Sequence, residues 1–218
     1  MSMSRCLALI AGATIASSAG AAVVTYQFNG TLISNSIASG GFAGATAGVP
    51  VSLQISVETT TTPIFSNANR NHWDSIAGTI LGMKATVDGY TSVATPNSAP
   101  TRARVVDDAL NGSVYIDQFW FEVADGGASP DFTVGTAILS SVGAAPPIAS
   151  SLLGIAWPTT SAEVDAASFT NEHSILLRGA TGGEFLRADI TEVFVAPAPG
   201  SAAAFTLVAC AAGRRCRR

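Results

Sequence analysis

Val51-Ser52-Leu53-Gln54-Ile55-Ser56-Val57-Glu58 alternates strictly between apolar and polar side chains. Successive side chains of a strand point to opposite faces, so this period of two predicts a strand with one buried and one wet face. Residues 23–33 alternate in the same way after their start and put Val24, Tyr26 and Phe28 on one face. Further strands are predicted at 75–81, 84–93, 103–106, 114–123, 132–139, 152–157, 174–178 and 184–195. Asp88-Gly89 bends the stretch 84–93, and Asp107-Asp108 and Asn111-Gly112 separate 103–106 from 114–123. Such Asp-Gly and Asn-Gly pairs favour hairpins because these residues tolerate positive φ. Residues 96–100 and 142–151, the latter with Pro146-Pro147, are predicted surface loops.

No helix-length amphipathic segment recurs between the strands, which disfavours a parallel βαβ architecture. The expectation is an all-β chain, with one antiparallel β-sandwich or jelly-roll-like domain over 23–196. About 170 residues bury a core without disulfides. The three cysteines, Cys6, Cys210 and Cys216, all lie outside that stretch.

The flanks have a different texture. Arg5 precedes an apolar run over 6–15, followed by Ser17-Ser18-Ala19-Gly20-Ala21-Ala22. A basic start, an apolar middle and small residues at the end make a secretory signal peptide over 1–22. Cleavage between Ala22 and Val23 is preferred to cleavage before Ala22, since small side chains are needed one and three positions before the cut. At the other extreme, Pro197-Ala198-Pro199-Gly200-Ser201 leads into an uncharged, alanine-rich run over 201–213 and then Arg214, Arg215, Cys216, Arg217 and Arg218. As a helix, that run is about 20 Å long, short of the ~30 Å hydrocarbon core. It reads as a weak membrane anchor, with the four arginines as a cytoplasmic stop.

This three-part C-terminus resembles the PEP-CTERM sorting signal, with Ala198 standing where the name-giving motif has glutamate. The resemblance covers 197–218, about a tenth of the chain. It implies a bacterial protein exported through signal peptidase, held transiently by the C-terminal helix, and then processed by the membrane protease exosortase. It also implies a cell-surface or extracellular destination, with extracellular polysaccharide as a possible partner.

Charge agrees with an outward-facing body. All acidic side chains lie between Glu58 and Glu192, where six basic residues face fifteen acidic ones, a net of −9. Nucleic acid needs a cationic surface, so it is excluded as a partner. Contact with a membrane is expected only through the C-terminal helix.

The chemistry of the middle is sparse. No Gly-x-Ser-x-Gly elbow occurs, and the two histidines, His72 and His173, are about a hundred residues apart. His72 lies in a polar cluster with Arg70, Asn71, Trp73 and Asp74, which reads either as a small binding patch or part of a lid or, in preference, as a loop whose Trp73 seals the end of the domain. His173 reads as an ordinary edge position. Asp117 and Glu122, five apart on one strand, fall on opposite faces and make no carboxylate pair. Calcium takes oxygen ligands from acidic turns, and its weak candidates are Asp125 with Asp131, and Asp107 with Asp108. Trp120, between Phe119 and Phe121, offers a sugar-stacking face if it points outward beside Tyr115 or Trp157. No catalytic residue is assigned. The expected function is a non-enzymatic exported surface or matrix protein. A glycan-binding module, calcium-assisted or not, is second, and a secreted hydrolase third.

Overall fold

The computed structural model describes residues 23–197, apart from 128, 130, 147–149 and 182. The predicted signal peptide and the C-terminal run over 198–218 lie outside them. The chain is all-β. Its strands are β1 (Val23–Asn35), β2 (Pro50–Glu58), β3 (Phe65–Asn67), β4 (Arg70–His72), β5 (Ile80–Val87), β6 (Tyr90–Ala94), β7 (Pro96–Asn111), β8 (Val114–Asp125), β9 (Val134–Gly143), β10 (Glu172–Arg178) and β11 (Phe185–Pro197). They form one antiparallel sheet in the order β3-β4-β7-β8-β9-β10-β11-β1-β2-β5-β6. Among the described residues no helix is long and apolar enough to cross a membrane.

The sheet curls until its two halves face each other. Tyr26 and Phe28 of β1 pack on Phe119 and Phe121 of β8 at centroid separations of 5.0–6.0 Å, although three strands separate β1 from β8 along the sheet. The alternation of β1, β2 and β8 explains this. Tyr26, Phe28, Leu53, Ile55, Phe119 and Phe121 are all fully buried, and the residues between them are half-exposed.

Two irregular segments complete the core. Trp157 stacks on Trp73 at 4.1 Å and on Phe121 at 5.9 Å, and the Tyr26 hydroxyl donates to the Pro158 carbonyl. Burial pushes that phenol far above its ordinary pKa. The loop between β1 and β2 inserts Phe42 against Phe132 and Tyr90. Asn35 ties this loop back through the Phe42 and Ala45 carbonyls.

Glycine is obligatory at one place in the sheet interior. The register of β1 against β11 shifts between Asn29 and Gly30, and a Cβ at Gly30 would sit 2.0 Å from the Asp189 carbonyl oxygen. The β5–β6 hairpin turns as expected on Asp88 and Gly89, both at positive φ.

Several expectations are corrected. Residues 75–79 form a turn with Ser75 at φ 57° rather than a strand. Residues 152–157 are irregular and serve as the lid that carries Trp157. The predicted loop 96–100 is the start of β7, and the cluster around His72 lies on a strand, β4. Trp73 does seal the core, with its indole N–H donating to the Thr61 carbonyl. His173 is not on an edge strand, because β10 lies between β9 and β11.

Candidate functional site

Directly paired residues of antiparallel strands share a face, so the register maps the outer surface. One row runs His72, Arg104, Trp120, Ile138, Ser174 and Asp189 across β4, β7, β8, β9, β10 and β11. The next runs Arg102, Glu122, Thr136, Leu176 and Arg187. Five of the body's six basic residues therefore sit on the outer side of this half of the sheet. On β1 and β2 the outward positions hold uncharged polar groups instead. Gln54 donates to Gln27, Gln27 to Asn29, and the Thr25 and Ser56 hydroxyls share a hydrogen bond.

Trp120 points outward while Phe119 and Phe121 are in the core. It offers no bare stacking platform, because the guanidinium of Arg104 lies 4.9 Å from its ring centroid and that of Arg102 5.4 Å. Trp157 is inside the core, so it cannot join Trp120 in a sugar platform. Arg104 is gripped by both oxygens of Asp74 through Nε and Nη2, and Arg102 pairs with Glu122 at 3.8 Å.

Two outer grooves follow from this surface. The larger, about 650 Å³, lies over β10 and β11 and balances Arg178 and Arg187 with Glu172 and Glu184 beside the exposed Phe185. The smaller, about 300 Å³, is lined by Arg70, His72 and Arg104 together with Val106, Asn111, Ile116 and Gln118. Its charged lining is wholly basic. Burial lowers the His72 pKa, and the positive charges of Arg104 and Arg70 lower it further against the opposing pull of Asp74.

The acidic candidates have structural work. Asp125 accepts hydrogen bonds from the backbone N–H groups of Thr95, Gly127 and Ser129. Asp131 is buried and accepts from Gly41 N, which fastens the Phe42 loop. Asp107 and Asp108 lie where β7 slips register against β8, with Asp108 at φ 49°. Among the described residues no group of three or more His, Cys, Asp or Glu side chains is placed to hold a metal ion. His72 and His173 lie on β4 and β10 with three strands between them, about 19 Å apart at the usual strand spacing.

Asp117, considered from the sequence only as half of a pair with Glu122, is a buried carboxylate. It is only 1% exposed, on the inward face with Phe119. Oδ1 accepts from Asp108 N at 2.6 Å, and Oδ2 is buried without a partner. Burial raises the pKa of Asp107, and the charges of Asp117 and Asp108 raise it further. A raised aspartate pKa means that the native state holds its proton more tightly than the unfolded chain does. That contribution to stability therefore grows as pH falls through the native pKa. Asp117→Asn keeps an acceptor for Asp108 N and removes an uncompensated charge. We expect it to stabilise the protein at pH 7 by about 1 kcal/mol, or 2–4 °C in melting temperature. The gain over the parent should shrink as the pH is lowered and Asp107, whose pKa is raised, takes up its proton and no longer repels Asp117, and thermal melts along a descending pH series check it.

The signal in the sequence for the smaller groove was the polar cluster around His72, which holds Arg70 and His72, while Arg104 of the groove stood apart from it in the sequence. The predicted cleavage residues meet the fold at one end of the central pair, where Val24 is opposite Pro197. Ala22, Ala198, Pro199, Gly200, Ser201 and the terminal arginines lie outside the described residues. No protein-family model, curated protein or solved structure matches this chain.

Proposed function

We propose that this chain is an exported, non-enzymatic cell-surface or extracellular-matrix protein, delivered by signal peptidase and sorted by exosortase through a Pro-Ala-Pro variant of the PEP-CTERM signal. Its body is a sandwich-like acidic β domain that offers a surface rather than a reaction. The observation that supports this best is the pairing of the first and last strands. β1 and β11 are antiparallel neighbours in register Val24 to Pro197, so the two sorting segments adjoin one place on the body. Both can then be removed without cutting into the sheet, since Val23 follows the expected signal cleavage and Pro197 opens the C-terminal motif. The neutral amide and hydroxyl ladder on β1 and β2, and the surplus of carboxylates, suit a protein that stays soluble in a hydrated layer.

Mass spectrometry of the protein from its native host tests this reading. The mature species should begin at Val23 and lack the residues after the proline hinge. Intact Arg218 on the extracellular species would remove the processing step, and an intact N-terminus would remove the export route.

A further inference from the structure

We propose that the groove formed by β4, β7 and β8 binds the carboxylate of a small hydroxylated ligand, of the uronic-acid class, between Arg70, His72 and Arg104. The donors are held before any ligand arrives. Arg70 is fixed by its Nη2 donating to the Leu110 carbonyl at 2.6 Å, which leaves most of its fork free. Arg104 is clamped on one side by Asp74 and braced from below by the Trp120 ring, with its second terminal nitrogen unused by that clamp. His72 pairs directly with Arg104 across the strands and is flanked by the Phe65 ring at 5.2 Å. Donors fixed in this way lose little freedom on binding.

Ligand class follows from the lining. Planar guanidinium forks match a carboxylate bidentately. No carboxylate is among the lining residues, in a body whose net charge, the groove included, is −9. Asn111 and Gln118 supply amides that can both donate to and accept from hydroxyls, and Val106 and Ile116 give an apolar floor. About 300 Å³ suits one or two sugar rings. The groups facing His72 are Arg70 on its own strand, Arg104 on β7 and Asp74 after β4. Two guanidiniums against one carboxylate leave this surrounding net positive, and an arriving carboxylate adds the negative charge that balances it. This inference stands apart from the export reading, since binding can occur whichever way the termini are processed.

The test uses the full chain in detergent. It holds two histidines, so His72 can be followed by imidazole proton resonances with His173 as internal control. Titration with glucuronate should saturate and raise the His72 pKa by about 1, a coupling of about 1.4 kcal/mol, with His173 unmoved. Arg70→Ala and Arg70→Lys, at a half-buried position on the groove's rim, should weaken binding about tenfold or more and about threefold or more respectively. Equal binding of glucose would overturn recognition through the carboxylate, and equal binding of inorganic sulfate would overturn the hydroxylated-ligand class. An unmoved His72, or undiminished binding by Arg70→Ala, would overturn the site.

Discussion

Phe121→Ala should cost about 3–5 kcal/mol, the usual range for emptying a buried phenylalanine site, and lower the melting temperature by roughly 6–20 °C. Phe121 is the point where the two halves of the curled sheet and the lid meet. Its ring touches Tyr26 and Phe28 of β1, Phe119 of its own strand, and Trp157 of the lid. Truncation would leave a void bounded by four aromatic rings, three of them held in place by their own strands, so little relaxation can fill it. The matching control is Phe194→Ala on β11, where the side chain is 46% exposed. That change should cost less than about 1 kcal/mol. Comparable losses at the two positions would mean that the faces of β8 and β11 have been assigned wrongly. Urea denaturation followed by tryptophan fluorescence reads both, with Trp157 reporting directly on the emptied site.

How much of this was legible depended on whether the determining contact was local. The strict alternation of β2 settles its own buried face, and Asp88-Gly89 settles its hairpin, because both depend on neighbouring residues alone. Residues 152–157 misled because an apolar run looks alike in a buried strand and in a lid. Leu152 and Trp157 are buried there without any ladder. β3 and β4 escaped notice since each is three residues of mostly polar sequence, and their pairing is supplied by β7 some thirty residues away. The Phe119-Trp120-Phe121 triplet left the direction of Trp120 open. Arg102 and Arg104, sixteen or more residues earlier, decide it by covering the outward ring. The same distance problem hid the smaller groove. Arg70 and His72 were visible as one cluster, but nothing local brings Arg104 to them. Asp117 was weighed only as half of a carboxylate pair with Glu122. Its burial comes from sharing the inward period of Phe119, a pattern that the apolar residues of β8 announce more strongly than the single aspartate does.

The final strand limits where the proposed processing could act. A body ending at Pro197 should melt within about 2 °C of one ending at Ser201, whereas a body ending at Glu192 should not fold at all. The lost segment pairs residue for residue with the core strand, Val193 with Phe28, Phe194 with Gln27, Val195 with Tyr26, Ala196 with Thr25 and Pro197 with Val24. Removing it strips β1 of one ladder along its aromatic stretch and leaves backbone groups unpaired beside a buried core. At about 1 kcal/mol for each lost hydrogen bond, more where a group is left buried and unsatisfied, the total approaches the 5–15 kcal/mol that holds a domain of this kind together. Val193, itself only 3% exposed, would be lost as well, and Val195 N could no longer donate to the Ser161 hydroxyl. Circular dichroism melts of the three truncated bodies distinguish the cases. If the body ending at Glu192 melts cooperatively near the others, then the β1–β11 ladder is dispensable. A protease cutting well before the proline hinge would then leave a folded product. If it is unfolded, as expected, the proposed processing could act only beyond Pro197, the last residue of β11.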